Sequence, residues 1–156
     1  MSPVAPSSLE TSEELFDKVI GVNLKGPFRL TALVATRMAA GEGGAIVNVS
    51  SDAAVRPTPQ TAPYAAAKAG LNVLTLAFAH EFGPRVRVNC IQAGPFHTDI
   101  SKSWSRSEAF AQQARATMAL GRAGEPDEIV GAALYLASDA ASFTTGAILA
   151  VHGGAR

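Results

Sequence analysis

The chain has 156 residues, enough for one domain with a core of its own. Apolar residues make up 47% and charged residues 17%, and thirteen basic side chains balance thirteen acidic ones. That balance leaves no basic field to draw in nucleic acid or an anionic membrane surface, and the single cysteine, Cys90, excludes a disulfide framework and a cysteine-based metal site.

There is no run of 18 apolar residues, and MSPVAPSSLE has neither a basic start nor an apolar stretch. The expected location is the cytoplasm. SSLETSEELFDK opens a helix: Thr11 and Glu14 have capping-box spacing, and acids crowd the first turn. The pattern runs to about Met38 and stops at GEGG, 41–44. Leu15, Phe16, Val19, Ile20, Val22, Leu24, Phe28, Leu30, Leu33 and Val34 surround this helix, so burial is expected on more than one side. Pro27 has no N–H for the carbonyl of Asn23, four residues earlier, which predicts a kink there and a free backbone carbonyl.

AIVNVSS, 45–51, is β-branched and mostly apolar, the pattern of a buried parallel strand. A Pro- and Thr-rich loop, 52–62, leads into a helix over 63–82, with Thr61 as its N-cap and Pro63 at its first position. Ala67, Leu71, Leu74, Phe78 and Phe82 form its apolar stripe, and Gly83-Pro84 ends it. VRVNCI, 86–91, is the next strand. Residues 97–118 read as an amphipathic, loosely organised flap; Pro126 starts a helix to about Ser138, and AILAV, 147–151, is the last strand. Strands alternating with helices predict an α/β fold with three parallel strands in the order 45–51, 86–92, 147–151. Its bare apolar edge at 45–51 invites aggregation.

Ligands of open parallel sheets sit at the carboxyl ends of the strands. Ser50 and Ser51 lie at one such end, AGPFHTD (93–99) leaves the next, and Tyr64 and Lys68 stand one turn apart near the start of the intervening helix. A free phenol titrates near pH ~10, too high for efficient proton transfer at neutrality. A close ammonium stabilises the phenolate, and lowering a phenol by two or three units takes ~3–4 kcal/mol of differential interaction. Such a tyrosine can exchange the proton of an alcohol/carbonyl pair, with a serine hydroxyl holding the oxygen. The carbonyl of Asn23 can hold a water beside Lys68. Cys90 reads as core, His97 as a solvated loop residue, and Trp104 as lining a substrate pocket; His80, His97 and His152 lack metal-ligand spacing.

VNLKGPF, IVNVSS, PYAAAKAGL, VRVNCIQAGPFHTD, GRAGEPDEIVGAALYLASDAASFTTG and VHGG stand in the order of the short-chain dehydrogenase/reductase family, and the chain resembles that family's C-terminal part end to end. The resemblance implies a single incomplete Rossmann-like domain, 1–156, within a doubly wound parallel sheet. It implies a catalytic tetrad of Asn23, Ser51, Tyr64 and Lys68. It further implies NAD or NADP as cofactor, with Tyr64 and Lys68 at the ribose and Gly94, Phe96 and Thr98 at the nicotinamide. The partners it implies are a small carbonyl/alcohol substrate and further copies of the chain, as a dimer or tetramer, with no nucleic acid and no membrane. Two departures stand out: Ala93 in place of the family's proline, and His152 in place of the aspartate of the closing Asp-Gly-Gly. The family's glycine-rich strand–turn–helix for the cofactor pyrophosphate is not found, and GEGG lies between a helix and a strand, the wrong order for it. The expectation is a fragment with little activity alone. The other reading is a degenerate paralogue or non-catalytic assembly module that pairs through helices 12–40 and 63–82.

Overall fold

A computed structural model describes residues 5–156. The first helix is α1, Glu13–Ile20, capped by Ser12, whose hydroxyl accepts from the Leu15 N–H at 3.1 Å. The cap is therefore one residue later than the expected Thr11, whose own hydroxyl donates backward to the Ser7 carbonyl. The expected kink at Asn23 takes the form of a π turn over Gly21–Lys25, in which the Gly26 N–H bonds the carbonyl of Gly21, five residues back. The helix then continues as α2, Gly26–Ala40.

Strand β1, Gly44–Ser51, follows, then α3, Ala62–Phe82, and β2, Val86–Ala93. Thr61 is the N-cap of α3 by position, but its hydroxyl turns back to the Thr58 carbonyl at 2.7 Å and does not cap the helix. The flap resolves into turns followed by α4, Glu108–Thr117. A single turn at Pro126–Ile129 leads into α5, Val130–Ala137, and β3, Ile148–Val151, ends the sheet. All strand pairs are parallel, in the order β1-β2-β3.

Side chains alternate across the strands. Val86 and Val88 meet Ala35 of α2 and Phe78 and Ala79 of α3 in the core, with Ile46 of β1 packed against them. Arg87 and Asn89 face the other side and hold the carbonyls of Leu136 in the last turn of α5 and of Ser138 and Thr144 after it. A buried polar set, Thr31, Asn48 and Thr75, ties α2, β1 and α3 together, and Asn48 Nδ2 donates to Thr75 Oγ1 at 3.0 Å. Of the apolar residues around the first helix only Val19 is buried. Phe16, Val22, Phe28, Leu30 and Leu33 are exposed, so the expected burial on several sides is not met within the described residues.

Candidate active site

Four pieces of chain meet at the carboxyl end of β1. The turn Asp52–Ala54 and the π turn both pack against α3. Gly70 permits the second contact: a Cβ there would lie 3.0 Å from Leu24 Cδ1 of the π turn. Asn23 is buried inside that turn and donates from Nδ2 to the Val19 carbonyl at 3.0 Å.

Two bonds fix Lys68 against β1. The buried Ser50 hydroxyl donates to the Lys68 carbonyl at 3.1 Å, and the Lys68 ammonium donates to the Val49 carbonyl at 2.9 Å. The ammonium also stands 5.7 Å from the centroid of the Tyr64 ring, the one-turn neighbourhood that the spacing implied. Burial pulls the Lys68 pKa below the ordinary lysine range, partly opposed by its interaction with the Cys90 thiol. Cys90 is wholly buried in β2 as expected, and burial pushes its thiol up. Ser51 is the last residue of β1, and its hydroxyl accepts from the Ala53 N–H at 3.2 Å, capping the turn that packs on α3. Among the described residues no hydrogen bond joins Ser51 to Tyr64.

The loop after β2 is built tightly. Gly94 donates to the Val151 carbonyl at 2.9 Å, and a Cβ on it would fall 2.6 Å from His152 Cα, so only glycine fits. Phe96 and Gly124 form a parallel bridge, with His97 N–H donating to the Gly124 carbonyl at 2.9 Å. Ser101, buried, donates to the Phe96 carbonyl at 2.6 Å and accepts from the Thr98 N–H at 2.9 Å. Sequence reasoning placed Ser50 at the strand end without giving it a role, and missed Ser101, whose only signal is a serine three residues after a candidate. His97 corrects its expectation: its side chain is only 18% exposed, with Nδ1 at 3.1 Å from Ser105 Oγ and Nε2 at 4.0 Å from Glu125. Trp104 packs edge-on against Phe110 at 5.2 Å within the flap and stays 44% exposed. A cleft of about 560 Å³ lies between α2 and β1; Val49 is in its lining, while Tyr64, Lys68 and the 94–98 loop are not.

The described residues fit one end of a nicotinamide dinucleotide. Lys68 and Tyr64 supply hydrogen-bonding groups suited to ribose hydroxyls, and the 94–98 loop lies at the neighbouring strand end. No strand–glycine-rich turn–helix for a pyrophosphate occurs among the described residues. No group of three or more His, Cys, Asp or Glu there is placed to hold a metal ion, and no helix is long and apolar enough to cross a membrane.

A family model described as Enoyl-(Acyl carrier protein) reductase matches residues 2–156. The chain is 35% identical over 155 residues to the Homo sapiens Dehydrogenase/reductase SDR family member 4, covering 99% of this chain and 56% of that protein. It is 38% identical over 143 residues to the Thermotoga maritima 3-oxoacyl-[acyl-carrier-protein] reductase FabG, covering 91% of this chain and 57% of that one. A 4-hydroxyisoleucine dehydrogenase complexed with NADH superposes with a TM-score of 0.92 at 35% identity, over 97% of this chain and 63% of that chain. A gluconate 5-dehydrogenase from Burkholderia cenocepacia J2315, in complex with NADP and tartrate, gives 0.92 at 31% identity, over 99% and 60%. The chain spans little more than half the length of these curated relatives.

Proposed function

Because the chain belongs to the short-chain dehydrogenase/reductase family, we propose that it carries the proton-transfer half of an NAD(P)-dependent oxidoreductase acting on a small carbonyl/alcohol pair. The observation that carries the reading is the Lys68 ammonium standing over Tyr64 at the carboxyl end of β1, the edge where open parallel sheets bind ligands.

Bound nicotinamide supplies the hydride acceptor or donor. The chain's own residues handle the proton. Tyr64 exchanges a proton with the substrate oxygen as general acid or base. The Lys68 ammonium, one turn from Tyr64, holds the cofactor ribose. Ser51 orients the substrate oxygen as charge develops on it. The Asn23 carbonyl anchors a water that extends the proton path beyond Lys68. Gly94, Phe96 and Thr98 hold the nicotinamide, with Ser101 fixing the loop that presents them. Cytoplasmic location and assembly as a homo-oligomer are part of the same reading. Phe16 on α1, Leu33 on α2 and Val73 and Leu76 on α3 are exposed apolar residues suited to pairing with another copy. The chain alone is expected to have little activity.

The test joins this chain to the portion of the Thermotoga maritima reductase that it does not match. The product is assayed at 340 nm with NADH or NADPH and a panel of ketones and aldehydes. The expected result is cofactor oxidation that depends on the carbonyl compound. A folded chimaera without it on any member of the panel would favour the assembly-module reading.

A further inference from the structure

His152, which stands in place of the family's aspartate, is tied to a backbone donor. Its Nδ1 accepts from the Ala155 N–H at 3.1 Å. A backbone N–H only donates, so Nδ1 is bare and the ring carries its proton on Nε2. The bond closes the turn 152–155, in which Gly153 and Gly154 have φ of 64° and 70°, a region that glycine enters without steric penalty. This turn is pressed against the exit of the flap. A Cβ on Gly154 would lie 2.6 Å from Ala119 Cβ, and one on Gly153 would lie 3.0 Å from Met118 Cε. Ala119 and Leu120 donate to the carbonyls of Gly154 and Gly153 at 3.1 and 3.0 Å, and Arg156 donates to the Thr117 carbonyl at 2.9 Å. Met118 and Ala155 form an antiparallel bridge between the two segments. On its other side His152 backs the loop after β2, where a Cβ on Gly94 would lie 2.7 Å from His152 Cβ. One ring thus closes the turn that joins the flap's exit to the loop proposed for the nicotinamide.

We infer that His152 is a positioning residue that works as a pH-sensitive clasp: neutral, it locks the turn 152–155 onto the flap's exit; protonated, it releases that turn and loosens the flap. An imidazolium donates from both nitrogens, so protonation turns the acceptor of the Ala155 N–H into a group that repels it. The ordinary charge change of an imidazole lies between about pH 5 and 8. The clasp is closed above that change and is lost as pH falls through it. An aspartate would remain an acceptor down to about pH 4, so histidine at this position moves the release toward neutrality. The charged groups on the elements around the turn are mostly engaged elsewhere. Arg122 holds Glu128, and Arg115 lies 3.6 Å from Glu108. On the loop after β2, His97 faces Glu125 and Asp99 holds Lys102. Arg156 adds a second positive charge to the turn once the imidazole is protonated. The clasp stands on this geometry alone; its effect on catalysis rests on the function proposed above. A loosened flap weakens the hold on substrate, so the loss in acid falls on KM for the carbonyl compound more than on kcat.

The test follows the chain alone by NMR between pH 8 and pH 5, beside His152→Asn and His152→Asp. Both replacements offer an oxygen to the same N–H throughout that range, and both keep His80 and His97, so the difference isolates His152. At pH 8 the ring nitrogens of His152 should show the Nε2–H tautomer. As the ring protonates, the Ala155 amide should shift with the same midpoint. The Ala119, Leu120 and Arg156 amides should then lose roughly 3–10-fold in exchange protection, the worth of one hydrogen bond. The Cys90 amide, bonded to the Ala147 carbonyl inside the sheet, should stay protected as the reference. An Nδ1–H tautomer at pH 8 overturns the inference, and so does ring protonation that leaves the Ala119 and Leu120 amides unchanged. Protection kept in acid by either variant carries the inference; loss in both overturns it. In the chimaera described above, KM for the carbonyl compound should rise roughly 3–10-fold from pH 8 to pH 5, and the variant that keeps its protection should abolish that rise. A rise that persists in that variant overturns the positioning role. A chimaera without reductase activity, beside the expected NMR changes in the chain, supports the clasp while sinking the proposed reaction.

Discussion

Lys68 stands where its charge is costly. Burial holds its pKa below the ordinary lysine value of 10.5, so the unfolded chain binds that proton more tightly than the folded one. The penalty is full below the folded value and disappears as pH rises past 10.5. Lys68→Met should therefore raise the thermal midpoint at pH 7, by roughly 1–3 °C for a chain of this size. The Val49 carbonyl that it leaves behind lies on an open edge where water can replace the ammonium. The same substitution in the active chimaera should damage both turnover and cofactor affinity, because the ammonium serves the phenol and the ribose. Calorimetry and kinetics on the one variant check both arms; a lowered midpoint would show that the bond to Val49 outweighs the burial of the charge. His97 makes a related point. Its place in a loop suggested a solvated ring, yet Ser105, eight residues on, and Glu125, on another turn, both hold it.

The turn before α5 shows how one element is secured by charge. Arg122 grips Glu128 with two bonds of 2.7 Å, and the Glu128 carboxylate also accepts from the Glu125 N–H at 2.7 Å, closing a capping box. These contacts hold the Glu128 carboxyl at about 2, down from 4.5. Their stabilisation is complete above pH 4.5 and is lost as pH falls through about 2. Both side chains are about half in water, which screens the pair. Glu128→Gln should lower the thermal midpoint at pH 7 by only roughly 1–2 °C. That gap should close between pH 4.5 and 2 in melts followed by circular dichroism. A gap independent of pH would mean that the carboxylate charge plays no part. Elements of this kind were partly legible. The three strands and their order followed from β-branched runs bounded by glycine and proline, and their ends fell within two residues of expectation. The first cap was misplaced because Thr11 and Ser12 are adjacent hydroxyls and either can serve. The π turn was read only as a kink, because Pro27 reveals a missing hydrogen bond but not how the backbone absorbs it. The bonds from Ser50 to Lys68 and from Ser101 to the 96–98 loop were illegible, since spacing along a chain does not say which way a hydroxyl turns.

At the scale of the molecule, the described residues include the strand ends proposed for the ribose and nicotinamide but no strand–glycine-rich turn–helix for the pyrophosphate. The chain alone should therefore bind NADH or NADPH weakly or not at all; micromolar affinity in a fluorescence titration would overturn that. The parallel three-stranded sheet and the family were both legible from motif order, because the motifs are the strand ends and helix starts that the sheet brings together. The exposed faces of α2 and β1 were less legible, since an apolar pattern states what should be covered and not what covers it. The proposed chemistry turns on one phenol. In the active chimaera, Tyr64→Phe removes the group that exchanges the substrate proton while leaving Lys68 and the 94–98 loop in place. The decisive measurement is turnover of that variant beside cofactor affinity. A loss of ~10²–10⁴-fold in kcat, with the Kd for NADH or NADPH weakened by no more than the roughly tenfold that one ribose hydrogen bond is worth, is the predicted result. A variant that keeps most of its turnover would show that Tyr64 and Lys68 are only neighbours on a capped helix.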